Sequence, residues 1–89
     1  MNLTKNFTLE ELSKTEVRDL LDANRKEAEA YIGSLTRVAS ELLEPIRTLF
    51  KKPLSVHSGF RGTKLNKKVG GSATSQHCLG EAADFVIDG

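Results

Sequence analysis

The clearest pattern in the chain is a helical spacing of apolar residues from about Arg25 to Phe50. They recur in steps of three and four, as on one face of an amphipathic helix; they are Ala28, Tyr31, Ile32, Leu35, Val38, Ala39, Leu42, Leu43, Ile46, Leu49 and Phe50. Gly33 costs such a helix about 1 kcal/mol. Pro45 lacks a backbone donor, so we expect a kink or a restart there. The pattern predicts one long helix that needs a partner surface from the C-terminal half.

The segment before this helix carries the signature of a helix start. Thr8 can cap a first turn while Glu11, three residues later, reaches back to it, and Phe7 and Leu12 flank them as a hydrophobic staple. A polar break follows at once, so this element is predicted to be one short anchoring turn. Residues 16–22 are predicted to form another short helix.

The C-terminal half alternates between strand and turn signals. Residues 54–57 alternate apolar and polar positions, which predicts a short strand. Residues 63–69 are predicted to form a two-turn helix with Leu65 and Val69 inward, ended by a pair of glycines. Residues 80–87 are predicted to form a second strand.

Together these elements predict an α+β fold in a single domain over residues 1–89. N-terminal helices, including the long amphipathic one, pack on a small antiparallel sheet. In the second strand Ala82, Asp84 and Val86 share one face. We expect the sheet to carry a functional site on one face and the long helix on the other.

Composition narrows the class of protein. The net charge of +1 gives no overall attraction to nucleic acid. The basic residues of the segment 51–72 are accompanied by no acidic residue; they are Lys51, Lys52, Arg61, Lys64, Lys67 and Lys68. They could meet an anionic ligand, but solvated lysines are an equally good interpretation. Phe60 is the only aromatic residue there, which disfavours a nucleic-acid interface.

The single cysteine excludes an internal disulfide. There is no basic and apolar leader, and no apolar run approaches about 20 residues. We therefore expect no signal peptide and no membrane span. Such a protein is synthesised in the cytoplasm and needs another means of release to act outside it.

His77 and Asp84 are the strongest chemical candidates. A loop imidazole and a strand carboxylate are suitable ligands for a divalent metal, and this donor set favours zinc. Two ligands alone are not a site, and a solvated histidine beside an ordinary aspartate is the alternative. Cys78 is interpreted as a small buried apolar residue rather than a ligand or nucleophile.

These residues stand within a longer ordered pattern. The run Ser58-Gly-Phe-Arg61 is followed by Leu65-Asn66, by Val69-Gly-Gly71 and by a set of five positions, Ser75, His77, Gly80, Ala82 and Asp84. The pattern resembles that of the zinc D-alanyl-D-alanine carboxypeptidases and related peptidoglycan peptidases, which have a Hedgehog/DD-peptidase-like fold. The opening residues 6–12 and the Leu43–Arg47 stretch resemble the short phage and bacterial branch that includes endolysins.

The resemblance implies a role for each matched residue. His77 and Asp84 correspond to two zinc ligands. Arg61 corresponds to a residue beside the metal that stabilises an oxyanion or holds a substrate carboxylate, which suits a planar, always charged guanidinium; a salt bridge to a scaffold acid is the alternative. Ser75 corresponds to a residue that hydrogen-bonds behind the ligands. The implied cofactor is Zn²⁺, and the implied partner is a peptidoglycan peptide with D-alanyl termini, bound by a monomer.

The chain departs from the family pattern in one respect. The family's third ligand is a histidine downstream of the aspartate, with a general-base carboxylate a few residues before it, and no residue up to Gly89 matches either. We interpret the 89 residues as a C-terminally truncated peptidase, inactive alone, or as a remnant without catalysis. His57, if it points inward with Ser55, is a candidate additional ligand; the alternative is a partly buried or solvated histidine.

Two functional hypotheses remain from the sequence. The first is a zinc peptidase that hydrolyses stem peptides of the bacterial cell wall, as a carboxypeptidase or an endopeptidase. The second is a module of the same fold that binds wall peptide or a partner without turnover. An anion-binding or nucleic-acid module that uses the segment 51–72 is a weaker third.

Overall fold

The computed structural model describes residues 1–72 and 74–88. It is α+β, as the sequence predicts, with a long helical run beside a small antiparallel sheet. In chain order the elements are α1 (Leu9–Leu12), a 3₁₀ turn (Arg18–Leu20), α2 (Leu21–Ala28), a 3₁₀ turn (Glu29–Tyr31), α3 (Ile32–Val38), a π-helical turn (Ala39–Leu43), α4 (Glu44–Phe50), strand β1 (Leu54–Ser58), α5 (Thr63–Lys68), a 3₁₀ turn (Gln76–Leu79) and strand β2 (Asp84–Ile87).

Helix α1 begins as the sequence predicts. The Glu11 backbone N–H donates to Thr8 Oγ1 at 3.1 Å, and the Thr8 backbone N–H donates to the Glu11 carboxylate at 3.3 Å. This reciprocal pair is the capping box, which satisfies donors that a helix start leaves open. Phe7 and Leu12 are both buried in the core, so the short helix is an anchor for the N-terminal segment.

The prediction of a separate short helix over residues 16–22 is wrong. The turn Arg18–Leu20 leads directly into α2, and the helical run continues to Phe50. No glycine or proline lies between residues 16 and 24 to end the helix. The buried residues of the run form one face; they are Asn24, Ala28, Leu35, Val38, Ala39 and Leu43.

Pro45 marks the restart that the sequence predicts. Helix α4 begins at Glu44 with Pro45 in its first turn, where a missing N–H is tolerated. In the π-helical turn just before it, the Glu44 N–H bonds to the carbonyl oxygen of Ala39. This wider turn lets the helical run pass the proline without ending.

Glu44 attaches the N-terminal segment to the helical run. Its carboxylate accepts from Thr4 Oγ1 at 2.6 Å, from the Asn6 backbone N–H at 2.9 Å and from Asn6 Nδ2 at 2.7 Å. Partial burial raises the pKa of Glu44, but the hydrogen bonds from Asn6 and Thr4 outweigh it and hold that pKa below the ordinary value of a glutamate. The charged form is therefore the one that this contact stabilises.

Strands β1 and β2 form a two-stranded antiparallel sheet among the described residues. Val56 pairs with Phe85 and Ser58 pairs with Asp84, which leaves His57 as an extra residue in a β-bulge. Leu54 and Val56 are buried in the core with residues of the helical run. The other face carries Ser55, Asp84 and Val86, since Ser55 pairs with Val86 and side chains alternate along a strand.

Two details of the C-terminal half differ from the prediction. Helix α5 ends at Lys68, and Val69 is 50% exposed rather than inward, whereas Leu65 is buried as expected. Strand β2 begins at Asp84 instead of residue 80, because Gly80 ends the 3₁₀ turn Gln76–Leu79 with a φ of 68°. A residue in this left-handed conformation cannot start a strand.

The outer edge of β2 has no strand partner within residues 1–72 and 74–88. Val86 is 46% exposed and Ile87 is 38% exposed along it.

Among the described residues, no helix combines the length and the apolar character that crossing a bilayer requires.

Candidate metal centre

The site is built on the segment Gly59–Gly62, which leaves the end of β1. The Phe60 N–H donates to the Leu12 carbonyl at 2.6 Å, and the Phe60 ring stacks on Tyr31 with the ring centroids 5.1 Å apart. A Cβ at Gly59 would overlap the Leu12 carbonyl, so only glycine permits this approach. The segment is therefore fixed between α1 and the helical run.

The second part of the site is the 3₁₀ turn Gln76–Leu79. Ser75 caps it, because Ser75 Oγ accepts from the His77 backbone N–H at 3.2 Å. At its other end Gly80 packs against Leu35 and Tyr31, where an added Cβ would lie within 3.4 Å of both side chains. The helical run thus sets the distance between this turn and the segment Gly59–Gly62.

His77 is oriented by a buried hydrogen bond. Its Nδ1 lies 2.7 Å from the Gly59 carbonyl oxygen, and the residue is 9% exposed. Because a carbonyl oxygen can only accept, Nδ1 carries the hydrogen and Nε2 is left to face outward. Metal-ligating histidines almost always donate their other ring N–H to a carboxylate, a backbone carbonyl or water, and the contact with Gly59 is of this kind.

The Asp84 carboxylate faces the Nε2 atom of His77. Its Oδ2 is 3.5 Å from His77 Nε2, and its side chain is 70% exposed where that of His77 is 11% exposed. With Nδ1–H committed to Gly59, a neutral His77 presents a lone pair toward a carboxylate oxygen. That arrangement is favourable only when a proton or a cation lies between the two atoms.

Arg61 joins the turn to the segment before α5. Its backbone N–H donates to the His77 carbonyl at 3.0 Å, and its Nη2 donates to Ser75 Oγ at 3.1 Å. Ser75 therefore contacts both the Arg61 guanidinium and the His77 backbone. Arg61 Nε is buried without a hydrogen-bond partner among the described residues, so the guanidinium is held at one end only.

Arg61 and Asp84 line one open cleft of about 470 Å³. Its walls come from the segment after α1, from the bulged end of β1 and from α5; the lining residues are Lys14, Thr15, Glu16, Val17, His57, Ser58, Arg61, Leu65, Val69 and Asp84. The structure thus brings the guanidinium and the exposed carboxylate into one cavity.

His57 lines this cleft but does not complete a metal site. Within residues 1–72 and 74–88, no three His, Cys, Asp or Glu side chains come together closely enough to hold a metal ion. The bulge places His57, exposed, at the same end of the sheet as Asp84. Its role as an additional ligand stays a prediction.

Cys78 is half-buried and lies apart from the cleft. It lines a separate depression together with Thr63, Asn66, Lys67 and Gly71. Although Cys78 follows His77 in the sequence, its thiol makes no hydrogen bond to the Asp84 carboxylate among the described residues. The geometry gives Cys78 no part in the candidate centre.

The donors of this centre fit a zinc ion in kind. A neutral imidazole with Nε2 outward and a carboxylate beside it are two of the N and O ligands that zinc takes in catalytic sites, where three protein ligands are usual. The buried Nδ1 hydrogen bond to Gly59 is the matching outer contact. His77 and Asp84 are therefore two side chains whose donor atoms are of a type that zinc binds.

The sequence did not reveal Asn24, which supports the centre from α2. It is 2% exposed, and its amide group bonds to the backbone on both sides of Arg61. A signal was present: Asn24 lies one helical turn before Ala28 on the buried face, where a polar residue needs a partner. Its partners, however, are backbone groups far along the chain, which spacing does not reveal.

No curated protein and no solved structure matches the chain. The model of one family does match, and its description is Peptidase M15. The match covers residues 5–89, which includes α1, the helical run, the segment Gly59–Gly62 and both candidate ligands. On this match, the chain belongs to the peptidase M15 family.

Proposed function

We propose that this chain is a zinc peptidase domain for peptide bonds in the stem peptides of peptidoglycan. His77 and Asp84 serve as two zinc ligands. The observation that carries the proposal is the pair of His77 contacts: Nδ1 bonded to Gly59 O at 2.7 Å, and Nε2 facing Asp84 Oδ2 at 3.5 Å. The family match supports the same chemistry, since peptidases of this family generally depend on zinc.

The chemistry that zinc supplies when bound is polarisation of a carbonyl and activation of water at neutral pH. Arg61 lies in the same cleft as Asp84 and contributes a fixed positive charge. Its guanidinium favours negative charge that develops on a substrate oxygen, or holds a substrate carboxylate through two parallel hydrogen bonds. Ser75 keeps the guanidinium near the centre through the 3.1 Å bond from Nη2.

The substrate class follows from the cleft and from the sequence resemblance. The cleft is open to solvent and combines cationic, anionic and apolar walls, as a site for a peptide with a free carboxylate requires. D-alanyl termini of stem peptides present such a carboxylate to Arg61. Cleavage at the terminal D-alanine defines a carboxypeptidase, and cleavage within the stem defines an endopeptidase.

Among the described residues, no third His, Cys, Asp or Glu side chain joins His77 and Asp84 to form a group that could hold a metal ion. A catalytic zinc site usually has three protein ligands and needs a base to move the proton of the attacking water. We therefore expect the 89-residue chain alone to bind zinc weakly and to show little turnover. A third ligand and a base in a longer form of the protein would raise both.

The lack of a third ligand among the described residues also favours a second function. If two ligands are all that the site has, the fold persists as a module that binds wall peptide or a protein partner without cleavage. Zinc affinity and peptide binding separate the two functions, because the module binds peptide whether or not zinc is present.

The test is zinc titration followed by hydrolysis assays, on this chain and on the longest natural form of the protein. A D-alanyl-D-alanine dipeptide and a wall stem peptide serve as substrates, with His77→Ala as the inactive control. We expect zinc-dependent release of amine by the longer form and loss of it in the control. Cleavage that does not depend on metal, or no cleavage of either substrate, contradicts the peptidase proposal.

A further inference from the structure

Asn24 is a buried polar residue of α2 that does not line the cleft. Its Nδ2 donates to the carbonyl oxygens of Ser13 at 2.7 Å and Phe60 at 3.1 Å. Its Oδ1 accepts from the Gly62 N–H at 2.7 Å. Both amide hydrogens and the amide oxygen are thus in use, which fixes the orientation of the side chain and of its partners.

The two contacts to the segment Gly59–Gly62 bracket Arg61. The Phe60 carbonyl belongs to the peptide unit before the Arg61 α-carbon, and the Gly62 N–H belongs to the unit after it. One side chain therefore holds both peptide planes that meet at Arg61. The third contact, to Ser13, joins this segment to the end of α1.

The same segment also orients His77. Gly59 O accepts the His77 Nδ1 hydrogen bond, and the Arg61 N–H donates to the His77 carbonyl. A rotation of the segment would move the root of the guanidinium and tilt the imidazole together. Asn24 is the buried side chain that opposes this rotation from the helical run.

We propose that Asn24 is a positioning residue of the metal centre, which acts through the Gly59–Gly62 segment on Arg61 and His77. This inference rests on the proposed function, because it assigns Asn24 to the same site. The chemistry is specific to an amide: aspartate has the same shape, but its carboxylate would face the carbonyl oxygens of Ser13 and Phe60. An apolar residue would leave three buried backbone groups without partners.

The chain offers two matched controls. Glu27 lies one turn further along α2 and accepts from the Thr63 N–H at 3.3 Å and from Thr63 Oγ1 at 3.1 Å. It holds the start of α5, but neither bond involves the peptide units beside Arg61. Leu43 is fully buried in the core, so Leu43→Ala lowers stability without removing any hydrogen bond of the segment Gly59–Gly62.

The experiment compares Asn24→Ala and Asn24→Asp with Glu27→Gln and Leu43→Ala in the 89-residue chain. Three quantities are measured: unfolding in denaturant, zinc affinity by competition with a chelator, and the ¹⁵N signals of the His77 ring by NMR. We expect both Asn24 variants to bind zinc about tenfold more weakly than the wild type. Loss of the contacts that orient metal ligands typically lowers metal affinity by at least that factor. We also expect changed ring signals in both Asn24 variants, whereas both controls keep the wild-type zinc affinity and the wild-type ring signals.

Folded Asn24 variants with wild-type zinc affinity and wild-type ring signals overturn the proposal and make Asn24 a structural residue only. If neither variant folds while Leu43→Ala does, Asn24 is a folding residue and the positioning role is likewise overturned. If the wild-type chain binds no zinc, the proposed function fails. The ring signals of His77 still decide the role of Asn24 in that case, because they are read without metal.

Discussion

Asp84 and His77 contribute to the candidate centre from opposite environments. His77 is held by a buried hydrogen bond to Gly59, whereas the Asp84 side chain is 70% exposed at the start of β2. An exposed side chain contributes little to packing, so its replacement should change ligand binding and leave the fold intact. The two residues therefore allow function to be tested apart from stability.

Asp84→Asn should lower zinc affinity by at least about tenfold, because it replaces an anionic ligand with a neutral amide. Its unfolding free energy should stay within about 0.5 kcal/mol of wild type. Chelator competition and denaturant unfolding measure the two quantities. Glu81→Gln, which changes an exposed acid three residues earlier, is the control; equal zinc affinity in both variants would argue against Asp84 as a ligand.

His57→Ala should leave zinc affinity within about twofold of wild type. The reason is that His57 joins no three-ligand group in the part of the chain that the structure describes. Zinc titration of the variant against wild type is the measurement. A loss as large as that of Asp84→Asn would instead make His57 the additional ligand that the sequence proposed.

The sequence could propose candidate side chains for the centre but not the groups that support them. Spacing and resemblance singled out His77, Asp84, Arg61 and Ser75, and the structure brings all four together. The support from Gly59 could not be predicted in the same way. A backbone carbonyl has no residue signature, and its use by His77 depends on tertiary packing 18 positions along the chain.

Among the elements, those whose determinants are local were predicted well. The capping box of α1 needs only Thr8 and Glu11, so its sequence pattern was sufficient. Val69 and the start of β2 were predicted wrongly, because the end of α5 and the backbone conformation of Gly80 decided them. Val69 has the right helical spacing, but it follows the end of α5 and is half exposed. The sequence pattern placed Gly80 in a strand. In the structure Gly80 has a left-handed conformation, packs on Leu35 and begins the connection to β2.

Glu44 gives an element-level prediction about acid stability. Its pKa is lower in the folded chain than in the unfolded one, so its contribution is present above the ordinary glutamate pKa and is lost as the pH falls through the folded value. Glu44→Ala should reduce unfolding free energy by about 1–2 kcal/mol at neutral pH. The difference from wild type should shrink below about pH 4.3.

Denaturant unfolding across pH measures this difference. Glu41→Ala removes an exposed glutamate from the preceding π-helical turn and serves as the control, with little expected effect at any pH. A Glu44→Ala difference that stays constant into acid would show that the contact with Thr4 and Asn6 does not depend on the carboxylate charge.

For the whole molecule, the prediction is a monomer in solution. The Cα radius of gyration is 12.4 Å. A single chain of this length is expected to have a value of about 12 Å when compact. Small-angle scattering on a size-exclusion column should give the mass of one chain and a radius consistent with this value, with hydration included. A mass of two chains at low concentration would contradict it.

Within residues 1–72 and 74–88 one edge of β2 has no strand partner, and this edge has a consequence for the solubility of the protein. Val86 and Ile87 are partly exposed on opposite faces of that strand, and Asp84 and Asp88 stand at its two ends. Charged residues on an edge discourage identical strands from joining and growing into aggregates. Replacing both carboxylates, as in a double variant with Asp84→Asn and Asp88→Asn, removes that protection. Turbidity should therefore appear at a lower protein concentration in the double variant than in the wild-type chain.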